Sequence, residues 1–326
     1  MKTNSKKKKI SIIIIITSII CVFIIVVSVY FTMPYCVYKT LDTSVTYDKQ
    51  SNKINVDKNT IKVLQLTDLH VNGALDMPLT FSLVKKTVYK TNPDLIVLTG
   101  DLYSNGSSKK DVKKLIKFME ELSLPWATVF GNHDNETPYS ISELSEMIGN
   151  ANKSMFITGN LEGLYGNYFY DVEFLDGKLF QFIFMDSRSD GFTDKSVEFY
   201  LETVEGTKLK NNGQIINNFL FFHIPLSEII DANNDGENLS GKLREKPSVQ
   251  INDVDFFETA VKLGATKALI FGHDHVNDLK VNYMGVDLCY GLKSSTSSYN
   301  EINLVGGTVF TLNSNGSYTY QDVVVY

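Results

Sequence analysis

Cysteine is scarce in this chain of 326 residues, which contains only three. A small domain held together by disulfide bonds is therefore excluded. Biased composition is also absent, since 43% of the residues are hydrophobic and 21% are charged, as in ordinary globular proteins. This composition excludes a largely disordered chain and a collagen-like repeat.

Basic residues are in the minority over most of the chain. The sequence has 31 Lys+Arg against 37 Asp+Glu, which gives a net charge of −6. Residues 1–33 hold five lysines and no acidic residue, so the remainder has 26 basic and 37 acidic residues and a net charge of −11. An acidic domain of this kind argues against a long nucleic acid as its partner.

The N-terminal segment lacks charge after its first nine residues. Residues 10–33 contain no charged residue and would rise roughly 36 Å as a helix, which is enough to cross a bilayer core. We interpret residues 1–9 as a cytosolic basic tail and 10–33 as a transmembrane anchor, which places the C-terminal bulk on the extracytoplasmic side. The alternative is a cleaved signal peptide and a secreted protein. Residues 34–58 are polar and are interpreted as a stalk.

The rest of the chain, residues 59–326, predicts a single domain of alternating strands and helices. Strands are predicted at 61–67, 94–99, 125–130, 168–174, 179–185, 218–222 and 267–271, and helices at 78–90, 109–122, 193–209 and 254–263. The dipeptide Asp176-Gly177 predicts a hairpin turn. Residues 231–253 are rich in Asn, Asp and Gly and are interpreted as an irregular insertion. The predicted fold class is α/β, with two mixed sheets and helices outside them.

All five histidines follow predicted strands closely. In open α/β sheets, ligands bind beyond the carboxyl ends of the strands, so we expect these side chains at one rim. The histidines and the polar residues beside them are His70, His133, His223, His273 and His275, with Asp68, Asp101, Asn132, Asp134 and Asp274.

Nitrogen and oxygen donors without cysteine suit Mn, Fe or Zn rather than a structural thiolate zinc site. A single histidine at a strand end is more often a core or capping residue than a ligand. The motifs Gly131-Asn-His-Asp134 and Gly272-His-Asp-His275 are more specific. Their occurrence with the other histidines, in order and at strand ends, favours a metal site.

These motifs resemble the calcineurin-like metallophosphoesterase superfamily, and more closely its purple-acid-phosphatase-like branch of fungal and plant phosphatases. The resemblance implies a four-layer α/β/β/α sandwich with two metal ions between the sheets. It assigns Asp68, His70 and His275 to one metal and Asn132, His223 and His273 to the other. Asp101 would bridge the two metals, since a carboxylate offers two oxygens.

The resemblance also assigns a proton donor. His133 would be the acid that does not bind metal, with Asp134 orienting it; the alternative for Asp134 is to cap a helix at 138–148. True purple acid phosphatases carry a metal-binding tyrosine three residues after the bridging aspartate, where this chain has Ser104. We therefore do not expect a coloured iron–tyrosinate centre, and the identity of the metals stays open.

The implied activity is hydrolysis of phosphate esters by a hydroxide that bridges the metals. A phosphomonoesterase, including a Ser/Thr protein phosphatase, is the leading hypothesis. The alternatives are a phosphodiesterase acting on a nucleotide or lipid headgroup, and a non-catalytic surface binding protein. Substrate choice is expected in segments 103–109, 187–195 and 228–250. Arg188 could contact the substrate phosphate or be a solvated surface arginine, and Asp186-Ser187 could support the site or form a turn.

Overall fold

A computed structural model describes residues 16–24, 43–159, 165–252 and 254–326. The chain divides into two compact units, residues 1–39 and 40–326. In the first unit, residues 16–24 are helical. Within the described residues, no helix combines the length and hydrophobicity needed to cross a membrane. Most of the anchor predicted at 10–33, and all of the basic tail at 1–9, lies outside the described residues, so both stay predictions.

The second unit contains fourteen described strands and six described α-helices. The strands are β1 Val45–Asp48, β2 Lys53–Val56, β3 Thr60–Leu66, β4 Leu95–Thr99, β5 Trp126–Val129, β6 Tyr168–Glu173, β7 Leu179–Phe184, β8 Asn218–Phe221, β9 Glu237–Ser240, β10 Thr266–Phe271, β11 Lys280–Tyr283, β12 Val286–Tyr290, β13 Gly306–Asn313 and β14 Tyr318–Val324. The helices are α1 Gly73–Thr91, α2 Lys109–Glu121, α3 Ile141–Gly149, α4 Asp194–Lys210, α5 Glu228–Asp235 and α6 Phe256–Leu263.

Two mixed sheets organise this unit. The smaller has the order β14-β13-β3-β4-β5, and the larger has the order β1-β2-β6-β7-β8-β10-β12-β11-β9. Strands β3, β4 and β5 are parallel, as expected from the helices that connect them, and β13 pairs antiparallel with β3. The predicted α/β fold with two mixed sheets is therefore confirmed.

Strand β7 shows how side-chain alternation separates the two cores. Phe180, Phe182 and Phe184 pack into the core shared with the smaller sheet, whereas Ile183 lies in a second core. The second core is filled from α4, α5 and α6, for example by Tyr200. Helices α1, α2 and α3 supply the first core from the side of the smaller sheet. The resulting order of layers is helices, sheet, sheet, helices, because each sheet buries both of its faces.

Two of the predicted helix starts differ from the structure by three or more residues. Helix α1 begins at Gly73 and contains Pro78 internally, although the prediction began at Pro78. Helix α3 begins after Ser140, which caps it together with Glu143, whereas the prediction began at 138. Helix α2 runs over the predicted segment and is capped by Ser108 with Asp111.

The stalk prediction for 34–58 is wrong over residues 45–56. These residues form β1 and β2, a hairpin whose second strand pairs parallel with β6 at the edge of the larger sheet. In β2 the apolar Ile54 and Val56 are buried while Lys53 and Asn55 are exposed. The alternation is clear but spans only four residues, too few for a pattern of long apolar runs to detect. Residues 34–42 lie outside the described residues.

The insertion predicted at 231–253 is irregular only in part. It contains most of α5 and all of β9, which pairs antiparallel with β11 at the other edge of the larger sheet. All four residues of β9 are exposed, so this edge strand has no apolar face that the sequence could reveal.

Asp94, which precedes β4, connects the start of the described second unit to the smaller sheet. Its Oδ1 accepts hydrogen bonds from Ser44 Oγ at 2.9 Å and Lys58 Nζ at 2.8 Å. Its Oδ2 accepts from the backbone N–H of Lys62 at 2.8 Å. Asp94 is only 5% exposed, whereas the Lys58 side chain is 45% exposed, so the contacts are part-buried hydrogen bonds to a carboxylate, the stronger kind of hydrogen bond.

Candidate metal centre

The predicted site residues all follow strands that end at one rim. Three strands of the smaller sheet and two of the larger sheet contribute to it. The contributions are Asp68 and His70 after β3, Asp101 after β4, Asn132 and His133 after β5, His223 after β8, and His273 and His275 after β10. The topology therefore brings residues separated by up to about two hundred positions to one place, as the carboxyl ends of parallel strands do.

Asp68, His70 and His275 form the first cluster. One donor atom from each lies within 4.8 Å of the others. Nε2 of His70 is 2.9 Å from Nε2 of His275, and Oδ1 of Asp68 is 3.4 Å from Nε2 of His275. Nδ1 of His275 donates to the carbonyl oxygen of Tyr299 at 2.9 Å, which leaves Nε2 as the ring atom that can bind a ligand.

Asp101, His223 and His273 form the second cluster. Nδ1 of His223 donates to the carbonyl oxygen of Thr99 at 2.7 Å, which again leaves Nε2 as the free donor atom. That Nε2 is 3.2 Å from Oδ2 of Asp101 and 3.3 Å from Nδ1 of His273.

Oδ2 of Asp101 lies between the two clusters. It is 3.2 Å from Nε2 of His223 and 3.6 Å from Nε2 of His70. Oδ1 of the same carboxylate accepts a hydrogen bond from the backbone N–H of His133 at 2.9 Å. Oδ2 therefore faces both clusters, while Oδ1 carries a backbone hydrogen bond, and the bridging role of Asp101 stays a prediction.

Two orphaned oxygens fit a cation. Oδ1 of Asp68 and Oδ1 of Asn132 are buried and have no hydrogen-bond partner among the described residues. Oδ2 of Asp68 is already used, since it accepts from Thr67 Oγ1 and from the backbone N–H of His273. Buried polar atoms normally have a partner, so the open oxygens, together with the imidazole nitrogens, fit one or more bound divalent ions.

The electrostatics of the second cluster reflect a pair of opposite charges. Burial opposes ionisation of Asp101, but His223 outweighs it and lowers the pKa of Asp101 to about 2. Burial likewise disfavours a charged His223, but Asp101 outweighs it and raises the pKa of His223 to about 10. Burial and the charge of His223 lower the pKa of His273 to about 4. A cation at this place would have to displace the His223 proton.

Four site residues adopt left-handed backbone conformations. The φ angles are 55° for Asp68, 45° for His70, 52° for Asp101 and 79° for His273. Such angles are uncommon outside glycine, although Asp, Asn and His adopt them more often than other residues. Strain of this kind collects at functional sites, where the surrounding structure fixes it.

The glycines of the two longer motifs are required by close approach. A Cβ atom on Gly131 would lie 2.2 Å from Oδ1 of Asp101, and one on Gly272 would lie 2.0 Å from Oγ1 of Thr67. Any side chain at either position would displace a site carboxylate or the residue that orients one.

His133 lies at the rim of the first cluster. Its side chain is 40% exposed, and its ring centroid is 5.4 Å from that of His70. Nδ1 of His133 is 2.9 Å from Oε1 of Glu136, at ion-pair distance but without the angle of a hydrogen bond. Glu136 was not predicted as a site residue.

The orienting role predicted for Asp134 is wrong, and so is the capping alternative. Oδ2 of Asp134 accepts from the backbone N–H of Gly131 at 2.7 Å, and Oδ1 accepts from that of Tyr103 at 3.1 Å. The side chain therefore points into the protein and holds two site loops together. Burial, aided by the charge of Asp101, raises the pKa of Asp134 to about 8.

Sequence reasoning also missed Lys293, Ser295 and Tyr299. Lys293 Nζ and Ser295 Oγ both donate to the carbonyl oxygen of Asp68, and Lys293 is 2% exposed. Burial lowers the pKa of Lys293 to about 8. The ring of Tyr299 stacks on that of His275 with centroids 4.2 Å apart. The signal available was the polar run 293–298, which follows a buried strand.

Residues 274–278 hold the segment 242–248 beside the site. Asp274 accepts from Tyr290 Oη at 2.5 Å and from the backbone N–H of Ser248 at 3.1 Å. Oδ1 of Asn277 accepts from the backbone N–H of Arg244 at 2.7 Å. These contacts explain the polar residues of this stretch as supports for a neighbouring loop.

A cavity of about 140 Å³ opens beside Asn132. Burial raises the pKa of Asp186, in its wall, to about 7. The residues that line it are Phe130, Gly131, Asn132, Asn135, Ile141, Tyr165, Asp186, Arg188 and Ser189.

Comparison with known proteins agrees with this geometry. The family model described as calcineurin-like phosphoesterase matches residues 61–277, about two thirds of the chain. The probable inactive purple acid phosphatase 28 of Arabidopsis thaliana is 27% identical, over 72% of this chain and 70% of its own length. Phosphatase DCR2 of Saccharomyces cerevisiae is also 27% identical, over 79% of this chain and 52% of its own length.

The fold is shared with a solved structure. A dimetal phosphatase from Danio rerio superposes with a TM-score of 0.53 and 10% sequence identity, over 80% of this chain and 98% of that one. At this identity the likeness concerns the fold alone.

Proposed function

Because the chain belongs to the calcineurin-like phosphoesterase family, we propose that it is a metal-dependent phosphatase that hydrolyses phosphate monoesters. The observation that carries the proposal is the position of Oδ2 of Asp101 between two clusters of metal-binding side chains, 3.2 Å from His223 and 3.6 Å from His70. One carboxylate oxygen within reach of both clusters is the arrangement that a two-metal site requires.

The residues that would hold the metals are the two clusters and Asn132. Asp68, His70 and His275 would hold one ion; Asn132, His223 and His273 would hold the other; Asp101 would contact both. When bound, two such ions neutralise phosphate charge and make hydroxide available near neutral pH. The nitrogen and oxygen donors suit Mn, Fe or Zn.

The chain's own residues supply the remaining functions. The His133 side chain is exposed enough to contact a bound ester, and its ring lies close to that of His70 in the first cluster. It would therefore face the leaving group of the ester and donate the proton to the departing oxygen. Glu136, beside Nδ1 of His133, would stabilise the charged ring. Asp134 would act indirectly, because its contacts to Gly131 and Tyr103 set the backbone that carries Asn132 and His133.

The uncharged run at 10–33, preceded by five lysines, supports a further proposal about location. The chain would be a single-pass membrane protein with this domain on the extracytoplasmic side. Protease protection of the domain in sealed vesicles tests this orientation, and complete digestion from the cytosolic side would contradict it.

The activity test uses the full-length chain. Metal is removed with a chelator, Mn, Fe, Zn, Mg and Ca are added back singly, and p-nitrophenyl phosphate and bis-p-nitrophenyl phosphate are compared. Monoester turnover that needs metal and disappears in Asp101→Asn supports the proposal. Preference for the diester would replace it with a phosphodiesterase. Two bound metals per chain without turnover of either ester would favour a non-catalytic binding protein, a possibility that the name of the Arabidopsis relative also raises.

A further inference from the structure

Arginine is almost absent from this chain. Of its 31 basic residues, 29 are lysines and two are arginines, Arg188 and Arg244. Arg244 forms an ion pair with Asp278, and its Nε is 3.7 Å from Oε2 of Glu301. Arg188 forms no ion pair with any described residue, and it lines the cavity beside Asn132. Because almost every other basic residue of the chain is a lysine, an arginine at position 188 calls for a chemical explanation.

The backbone of Arg188 belongs to a turn that is hydrogen-bonded to the chain directly after His223. Its N–H donates to Oδ1 of Asp186 at 2.8 Å, and the N–H of Asp186 donates to Oδ1 of Asn167 at 2.7 Å. The hydroxyl of Ser187 accepts from the N–H of Ile224 at 3.0 Å. Because Ile224 directly follows His223, the turn 186–188 is tied to the strand end that presents a cluster residue.

This turn places Arg188 in an unfavourable conformation. Its φ is +53°, in the left-handed region where glycine or asparagine would be favoured. Backbone strain of this kind collects at functional sites, so it directs attention to the side chain of Arg188.

The cavity suits a small anion. Its volume of about 140 Å³ is well below the roughly 300–1,000 Å³ of sites for drug-sized ligands, so it fits one phosphate group rather than a whole nucleotide. Among the described residues that line it, Arg188 is the sole cationic side chain. The neutral amides of Asn132 and Asn135 lie in the same wall. Asp186 is the one carboxyl among the described lining residues, and its Oδ1 accepts a hydrogen bond from the Arg188 N–H.

We propose that Arg188 binds the free oxygens of the substrate phosphate in this cavity and selects dianionic monoesters over monoanionic diesters. The guanidinium presents a planar fork of donors that matches two phosphate oxygens, which an ammonium group does not. A diester carries one negative charge fewer and a second ester group that the small cavity would have to accept. This inference rests on the proposed function, since it assumes that the ester binds beside Asn132.

The test separates phosphate binding from turnover. The full-length, manganese-loaded protein is titrated with inorganic phosphate by calorimetry, as wild type, Arg188→Asn, Arg188→Lys and the control Lys178→Gln. Asparagine tolerates the left-handed backbone, so Arg188→Asn is expected to fold, and circular dichroism checks this. Lys178 is exposed, lies at the opposite end of β7 from Arg188 and does not line the cavity, so its variant controls for the loss of one positive charge.

We expect Arg188→Asn to weaken phosphate binding at least about tenfold, Arg188→Lys to weaken it less, and Lys178→Gln to leave it unchanged. The ratio of kcat/KM for p-nitrophenyl phosphate to that for bis-p-nitrophenyl phosphate should fall by a similar factor in Arg188→Asn. Unchanged phosphate affinity in Arg188→Asn, or an equal loss in Lys178→Gln, would overturn the inference. If the wild type hydrolyses neither ester, the proposed function fails, while the phosphate titration still decides the role of Arg188.

Discussion

Glu136, and not Asp134, is the carboxylate beside His133: its Oε1 lies 2.9 Å from Nδ1 of the ring. Residues 134–136 form a single 3₁₀ turn. In this turn the side chain of Asp134 points into the protein, and that of Glu136 lies beside the ring of His133. Asp134, which directly follows His133, therefore supports the backbone, whereas Glu136, three positions after His133, lies beside the ring.

This pairing predicts a dependence on the leaving group. His133→Asn should lower kcat for an alkyl phosphate such as glycerol 2-phosphate by about 10²–10⁴ and lower it much less for p-nitrophenyl phosphate, because p-nitrophenolate leaves without a proton. Glu136→Gln should also lower kcat for the alkyl phosphate more than kcat for p-nitrophenyl phosphate, but by a smaller factor than His133→Asn. Steady-state kinetics on both substrates measures the difference, and an equal loss on both would exclude His133 as the proton donor.

Gly131 offers a test of close packing at the centre. Gly131→Ala should reduce the bound metal below the wild-type stoichiometry, because its Cβ would meet Oδ1 of Asp101 at 2.2 Å. Gly206 is the matched control, since it lies inside α4 with open space around its Cβ position. Gly206→Ala should keep the metal and stabilise the fold by about 0.5–1 kcal/mol. Metal analysis by plasma mass spectrometry and urea unfolding report the two quantities, and full metal loading in Gly131→Ala would contradict this account.

Metal binding should tighten as the pH rises. In the metal-free protein the pKa of His223 is raised to about 10, so below that pH an ion must displace the proton. Asp101, with its pKa lowered to about 2, is ionised throughout and adds no dependence near neutrality. We expect an apparent Kd that falls by up to about tenfold per pH unit between pH 6 and 8. Calorimetry in buffers of different ionisation enthalpy should detect the released proton; a pH-independent Kd without proton release would contradict the prediction.

Asp186 should make the fold less stable as the pH rises. Burial raises its pKa to about 7 from an ordinary 3.8, so the folded protein holds a proton that the unfolded chain has lost. The corresponding stability is fully present below about pH 3.8 and is lost as the pH rises to about 7. Asp186→Asn removes this dependence, so its free energy of unfolding should increase relative to wild type between pH 5 and 8 by at least about 1 kcal/mol. Urea unfolding at both pH values tests this, with the exposed Asp190→Asn as the control that should show no such change.

The strands that carry the site were predictable from the sequence because they are fully buried. All residues of β4, β5 and β8 are buried, so they appear as short apolar runs with polar residues directly after them. The same logic brought His70 and His275 to one rim, although 205 positions separate them. The helices of the first half were predicted for a related reason, since α2 carries an apolar face and a capping box.

The missed features depend on contacts that a local pattern does not contain. Strand β9 has no buried residue and is defined by its pairing with β11. Lys293 acts through the carbonyl of Asp68, 225 positions away. The exchange of roles between Asp134 and Glu136 depends on one tight turn, in which either carboxylate could have faced His133. Side-chain direction within a turn follows from backbone angles, which the residue types at 134–136 leave open.

The contacts of Asp94 have a mechanical consequence. A pull on the chain before residue 43 reaches the hairpin β1–β2 and the bond from Ser44 to Asp94 before it reaches β3. Asp94 also accepts hydrogen bonds from Lys58 Nζ and from the backbone N–H of Lys62. Tension would therefore be shared between β3 and β4, at the end of β3 that is opposite to Asp68 and His70. Force applied at residue 43 would therefore load the edge hairpin first, at a distance from the metal-binding rim.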